Sequence, residues 1–404
     1  MLPLIIPIGA LLLGVALLLL GYGLLNTLLG LRGIMEGYSD GMMGMIMSCY
    51  FIGFLVGTFL ALPLINRIGY IRAFAFCAAL VSSAALLHVL FVNPYFWMFL
   101  RILTGTLLVI LYTVIESWLT AETSKEQRGR VFSIYMVVNL GALTLAQQLL
   151  RLDTPSSFVL FALAAMLISV SLTPVALTRL AQPAVSRTPR LKFKKLYALA
   201  PIAVVASTCS GMAMGAFWGM APVYANHVGL DVNGVATFMS CAILGGALCQ
   251  YPMGRYSDRH DRRKILAVIS VAASCAAVLL VFLSHAGAWL FIAMAIYSGM
   301  AFAVYPVAIA HLVDQLEYKD VLSGVSSLLL LYGLGAAVGP VLVGLLMNSI
   351  GYQALPYYFF STQLLLAIYT VHKYKQSKEE PEHFSEFVPM VRTSPSALNM
   401  LSDE

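Results

Sequence analysis

Few side chains in this sequence hold a charge or a proton within an otherwise apolar stretch, and those few are the candidates for chemistry. Glu116 lies between Ile115 and Ser117-Trp118, with no other acid between Asp40 and Glu122. Away from water the ionised form of a carboxyl is costly, so such a group can exchange a proton as its surroundings change. The plainer reading is a carboxylate that reaches water at a helix end or pairs with a loop base such as Arg128. His311 can change charge near pH ~6.5, or serve only as a hydrogen-bonded packing residue. Arg101 suits an anionic group or a proton relay, or its head snorkels to an interface. Asn26, Asn139 and Gln147 are neutral amides that hydrogen-bond a small polar molecule or cross-link helices. Trp218, Tyr224 and Tyr305 add aromatic walls.

A second set sits in short loops. Asn66, Arg67 and Arg72 fall in one; Asp258, Arg259, Arg262 and Arg263 fall in another, with Asp314 further along. An acid facing bases makes a charge-assisted latch that forms in one conformation and breaks in another. Basic loop residues alone also satisfy the rule that orients membrane helices.

The elements carrying these groups follow from composition. Sixty per cent of the 404 residues are hydrophobic and 10% are charged, against about 45–50% and 25% in soluble domains. A bilayer helix needs about 20 apolar residues. Runs of that length predict helices near 4–30, 41–65, 73–92, 95–120, 130–150, 156–179, 198–226, 232–254, 264–284, 287–313, 321–348 and 353–373. The stretch Met1 to Leu31 has no basic residue before its apolar run and is too long for a secretory signal, so it is expected to stay as the first helix.

One alternate set of loops carries nearly all the Lys and Arg, from Arg67 to Lys319, while the opposite set carries Arg32 and Arg151. The positive-inside rule then predicts cytoplasmic termini in the inner membrane. It divides the chain into a six-helix bundle at 1–180, a basic cytoplasmic linker at 181–197 expected to act as a flexible strap, a second bundle at 198–373 and a polar cytoplasmic tail at 374–404. The two bundles read as a duplication. Asn66-Arg67-Ile68-Gly69-Tyr70-Ile71-Arg72 recurs as Asp258-Arg259-His260-Asp261-Arg262-Arg263-Lys264, 192 positions later, and Gly23 pairs with Gly215 at the same offset.

Gly254-Arg255-Tyr256-Ser257-Asp258-Arg259 followed by Arg262-Arg263-Lys264 closely resembles the loop signature of the major facilitator superfamily, G-x-x-x-D-R-x-G-R-R. The first-half copy departs from it, with Leu62 for the glycine and Asn66 for the aspartate. Leu25-Asn26-Thr27-Leu28, Tyr50-Phe51-Ile52-Gly53, Val114-Ile115-Glu116-Ser117, Gln250-Tyr251-Pro252-Met253-Gly254 and Leu330-Leu331-Tyr332-Gly333 resemble the YcaD-type branch. The resemblance implies an all-α membrane protein, twelve helices in two pseudo-symmetric six-helix bundles, with a central cavity open alternately to each side. It implies no particular substrate. The Gly-Pro pair that similar drug-proton antiporters carry in helix 5 is absent from Gly141-Ala142-Leu143-Thr144-Leu145-Ala146.

The expected activity is proton-coupled secondary transport of a small organic solute, by a monomer whose other partners are protons and the lipid bilayer. The alternative is a non-transporting sensor or assembly partner acting through its tail. No enzyme is expected, since His311 with Ser117 or Ser298 is too generic a pair, and no pump, since no phosphate-binding glycine loop is present. Neither a cofactor, a metal nor a nucleic acid is expected: the six cysteines have no ligand spacing, and the net charge of +6 is spread through loops.

Overall fold

The computed structural model describes residues 2–124, 127–177 and 191–376. The stretches 178–190 and 377–404, with most of the basic linker and nearly all of the tail, lie outside the described residues. Among the described residues every regular element is helical: α1 (Leu2–Met35), α2 (Asp40–Ile68), α3 (Tyr70–Leu90), α4 (Pro94–Glu122), α5 (Arg128–Gln148), α6 (Phe158–Val170), α7 (Leu172–Ala176), α8 (Phe193–Leu199), α9 (Pro201–His227), α10 (Val232–Ser257), α11 (Arg262–Phe282), α12 (Ala288–Val313), α13 (Tyr318–Ile350) and α14 (Ala354–Gln376). Among the described residues twelve segments are long and apolar enough to cross a bilayer, so the chain is a multi-pass membrane protein. In hydrocarbon each backbone N–H and C=O must be satisfied within its own segment, which leaves helix as the form these apolar runs take.

Local signals set the helix starts. Asn93 caps α4 by accepting hydrogen bonds from the backbone of Tyr95 and Phe96, with Pro94 at the first helical position. Ser157, Asp231 and Asp261 cap α6, α10 and α11 in the same way. The helix predicted at 156–179 is one span, Phe158–Ala176, in which α6 passes into α7 at Ser171; that residue keeps helical φ and ψ, and its hydroxyl turns back to the Ile168 carbonyl.

The described residues form two compact units, one within 2–38 and 45–177, the other within 191–376 with the short stretch Ser39–Gly44. In the first, α1 packs on α5 and α6, and α3 on α4 and α6; in the second, α9 packs on α13, α10 on α12, and α11 on α14 and α12. The duplication is visible in packing. A Cβ on Gly53 of α2 would lie 2.0 Å from the Ile102 carbonyl oxygen of α4, and one on Gly245 of α10 would lie 2.2 Å from that of Ala295 on α12. Gly53 and Gly245 are 192 positions apart, so the same close helix crossing needs glycine twice.

The linker differs from a strap along its described portion. α8 is a helix, and the Lys195 ammonium lies 2.7 Å from Asp320 at the start of α13. The Ser327 hydroxyl donates to the Leu191 carbonyl at 3.2 Å, and Tyr197 and Tyr369 share a hydroxyl contact at 3.1 Å. A basic, Pro-containing composition suggests flexibility, but residues 191–199 find fixed partners that only tertiary structure supplies.

Candidate functional site

In the first unit α4 carries both ionisable candidates. Arg101 and Glu116 are fifteen residues apart, which puts them about 22 Å apart along the axis and within about 60° on one face. Glu116 is 0% exposed, and its Oε1 accepts a hydrogen bond from the Tyr135 hydroxyl of α5 at 3.1 Å. One turn on, Asn139 is also buried, and its Nδ2 donates to the Tyr135 carbonyl at 3.0 Å. Tyr135 and Asn139 are four apart, and that spacing places both on the side of α5 that meets Glu116.

Arg101 is likewise enclosed. Its Nη2 donates to the Asn26 Oδ1 of α1 at 2.9 Å, and its guanidinium carbon lies 4.7 Å from the centre of the Tyr50 ring of α2. Tyr50 stacks on Tyr22, one turn before Asn26, with ring centres 5.4 Å apart. Beside Asn26, Thr27 donates to the Gln147 Oε1 at 2.7 Å, and Gln147 Nε2 donates to the Leu143 carbonyl. Four of the predicted polar residues, Asn26, Arg101, Asn139 and Gln147, thus join Glu116 in the interior of one unit, held by α1, α2, α4 and α5.

In the second unit the predicted residues divide into three places. Trp218 of α9 and Phe302 of α12 have ring centres 6.2 Å apart, with Phe217 filling the corner, while Tyr305 packs on Tyr332 of α13 at 4.6 Å. Tyr224 sits elsewhere, among Phe238 and Tyr352, with its hydroxyl donating to the Leu280 carbonyl at 3.4 Å. His311 is buried at the end of α12 and is faced by Arg263, Asp261 and Arg262.

That end of α12 meets the α10–α11 loop. Arg262 Nε lies 2.9 Å from Asp314 Oδ2, with both side chains wholly enclosed, and Arg262 Nη2 lies 3.5 Å from Asp258. Arg263 grips Asp261 through Nε and Nη2 and lies 5.2 Å from the Tyr374 ring of α14. Burial pushes the Asp261 carboxyl up, but the bonds from Arg263 and the charges of Arg263 and Lys264 outweigh it and hold the group below the usual carboxylate range. Arg259 is exposed. In the first unit Asn66, Arg67 and Arg72 are exposed and make no side-chain hydrogen bond or ion pair among the described residues.

The Major Facilitator Superfamily profile matches residues 11–206 and 203–401. The chain belongs to that superfamily. An uncharacterized MFS-type transporter of Enterobacter sp. (strain 638) is 30% identical over 353 residues, covering 85% of this chain and 89% of the relative. The uncharacterized MFS-type transporter YcaD of Escherichia fergusonii is 30% identical over 349 residues, with the same coverage. Among solved structures, a mutant of the nucleoside transporter NupG superposes with a TM-score of 0.78 at 14% identity, over 91% of this chain and 99% of that one. The likeness to YcaD-type relatives and the twelve-helix facilitator fold read from the sequence both hold.

Within this facilitator, sequence reasoning passed over Tyr135 and Tyr22 and met Tyr50 only in a stretch resembling the YcaD-type branch, although these are the aromatic groups that hold Glu116 and Arg101. The i, i+4 spacing of Tyr135 with Asn139, and of Tyr22 with Asn26, was the available signal. Gln363, a neutral amide in a predicted span just as Asn139 is, also went unremarked.

Proposed function

We propose that this superfamily member is a proton-coupled secondary transporter, carrying a small organic solute across the inner membrane by alternating access, with both termini cytoplasmic. The observation that carries the reading is the wholly buried Glu116 hydrogen-bonded to Tyr135. An acid inside a membrane helix is expensive to keep without a task. As a carboxylate Glu116 accepts from the Tyr135 hydroxyl; as an acid it can donate to that oxygen instead, which frees the Tyr135 proton for another acceptor. A change of protonation thereby changes which hydrogen bonds tie α4 to α5, and a proton binding one state more tightly shifts the equilibrium between states.

The solute meets neutral amides and aromatic faces rather than a field of charge. Asn139 and Gln147 offer amide hydrogen bonds, and Trp218 and Tyr305 offer ring surfaces. Arg101, held by Asn26 and Tyr50, is the cation available to an anionic group or a proton relay. Arg262 with Asp314 and Asp258 forms the cytoplasmic gate element, and the basic loops orient the chain.

The test begins with a thermal-shift screen of metabolites on purified protein, which finds the solute because binding to the native state raises its melting temperature. Flux of that solute into proteoliposomes is then measured under an imposed pH gradient. Glu116→Gln is expected to abolish acceleration by the gradient while leaving solute binding detectable. If the variant retains the pH dependence of the parent, Glu116 has no part in coupling.

A further inference from the structure

The short helix α8 presents cations and aromatic rings together, and neither the latch nor the buried acid uses them. Leu196 is buried and turns α8 toward the bundle, while Phe193 is 56% and Tyr197 42% exposed. These two are four residues apart, which places them on one flank of the helix, and their rings stack with centres 6.3 Å apart. Lys192 and Lys194 beside them are exposed and make no ion pair among the described residues, whereas Lys195 is taken by Asp320. The sequence has no acid between Asp153 and Asp231, so no neighbour along the chain offsets these charges.

Tertiary contacts fix the depth of α8. Tyr197 meets Tyr369, seven residues before α14 ends at Gln376, and the Leu191 carbonyl accepts from Ser327, nine residues after α13 begins at Tyr318. At a rise of 1.5 Å per residue those contacts lie about 10 and 13 Å inside the helix ends. With 33 residues, α13 is about 50 Å long and exceeds a bilayer's hydrocarbon by about 20 Å, which is about 10 Å at each end when shared. α8 therefore lies near the boundary between acyl chains and headgroups. Beside Tyr369, Ile368 and Val371 of α14 are exposed, the disposition of apolar side chains on a face turned to lipid.

We propose that α8 and the adjoining ends of α13 and α14 dock anionic phospholipid of the surrounding leaflet, with Phe193 and Tyr197 entering the headgroup boundary and Lys192 and Lys194 holding the lipid phosphates. Tyrosine settles at that level with its hydroxyl toward water, and phenylalanine anchors the apolar flank of an interfacial helix. Each lysine close to a membrane surface strengthens binding to acidic headgroups by about five-fold. Lys373 and Lys375 in the last turn of α14 extend the same charge. The lysines select acidic lipids over zwitterionic ones, and the rings select a lipid over free phosphate. The inference needs only that the chain crosses a bilayer; it holds whichever leaflet α8 meets and whatever Glu116 does.

The test uses the full chain in a neutral detergent. Phosphatidylglycerol, phosphatidylcholine or inorganic phosphate is added in turn and the melting temperature followed, since a ligand of the native state raises it. Phosphatidylglycerol is expected to raise it at concentrations where the other two have no effect. In Lys192→Gln/Lys194→Gln the phosphatidylglycerol midpoint is expected to move about 25-fold higher, five-fold for each lysine. The lipid-free melting temperature of that variant is expected to stay at the parent value, because both side chains are exposed. Phe193→Ser is expected to weaken the lipid response in the same direction. Equal protection by phosphatidylcholine, or protection by phosphate alone, overturns the proposal without recourse to any variant. So does a double variant that keeps the parent midpoint. A fall in the double variant's lipid-free melting temperature assigns the lysines to a partner within the chain, the acidic stretch Glu379 to Glu386 having the matching charge, and overturns it as well.

Discussion

The two copies of one loop have diverged into opposite electrostatic designs. At the α10–α11 junction Arg262 is enclosed against Asp314 at 2.9 Å, and Asp261 caps α11 while gripping Arg263. At the α2–α3 junction, 192 positions earlier, Tyr70 stands where Arg262 does, Glu122 where Asp314 does and Gly69 where Asp261 does. Tyr70 buries its ring on Trp118, with centres 5.9 Å apart, and Gly69 takes φ +82 with no side chain to cap the helix. One junction is closed by charge and the other by aromatic packing. The duplicated backbone therefore does not fix the chemistry of its ends. A buried arginine demands a buried acid, and replacing it with a tyrosine frees the acid's partner position from that demand.

The sharpest way to break the contrast is Asp314→Asn, which removes the enclosed carboxylate nearest the Arg262 charge and keeps the longer contact to Asp258. Removing one partner of a buried pair costs about 3–5 kcal/mol. A large fall in melting temperature is expected, whereas Glu122→Gln at the matching place is expected to cost no more than about 1 kcal/mol, the scale of a partly exposed pair. Equal losses in the two variants, measured by thermal unfolding in one detergent, would erase the distinction between the junctions.

A smaller effect separates the two helix caps. Asp261→Asn keeps an oxygen that accepts from the Arg263 backbone but loses the charge that Arg263 grips. The loss at neutral pH is about 1.5 kcal/mol, the lower end for hydrogen bonds to charged groups. Its pH dependence has a definite sign. The folded Asp261 carboxyl titrates below its ordinary value, so its contribution is present in full above about pH 4, where the unfolded group also ionises, and fades as pH falls through the folded value. The melting curves of parent and Asp261→Asn should stand apart at pH 7 and converge in acid. A gap that persists unchanged in acid assigns the stabilisation to something other than this carboxylate.

How much of this was legible beforehand follows from what each feature depends on. Twelve spans were readable because a bilayer demands length and apolarity from contiguous residues, and contiguity is what a sequence displays. Glu116 and Arg101 stood out because charge is rare in such spans, and the structure encloses both. Asn26 was named, but not as the partner of Arg101, and the aromatic partners left no signal beyond their i, i+4 spacing to Asn26 and Asn139. Tyr135, Tyr50 and Tyr22 are ordinary members of a hydrophobic composition until neighbouring helices set their hydroxyls and ring faces against a charge. Arg262 and Asp314 were each named as gate candidates, but their enclosure depends on α11 packing against α12, a contact between segments about fifty residues apart. The clamp on residues 191–199 was missed for the same reason, since Asp320 and Ser327 lie more than a hundred positions away.

The finest probe restores to the first junction the acid that the superfamily signature carries there. Asn66→Asp adds a carboxylate at an exposed position near Arg67 and Arg72. If one missing charge accounted for the difference between junctions, this substitution would recreate the latch and raise stability by an amount comparable to the loss in Asp314→Asn. Burial argues otherwise. Asp258 is only an outer partner of Arg262, at 3.5 Å and a third exposed, while the enclosed contact belongs to Asp314. With Tyr70 in the place of the arginine, a new acid at position 66 meets only solvated bases, and solvated pairs contribute about 0.2–1 kcal/mol, reduced further by salt. Asn66→Asp is therefore expected to move the melting temperature by little more than a degree, and by less at high ionic strength. A rise of several degrees that survives salt would mean that the acid alone organises the junction, and that Tyr70 on Trp118 was not what closed it.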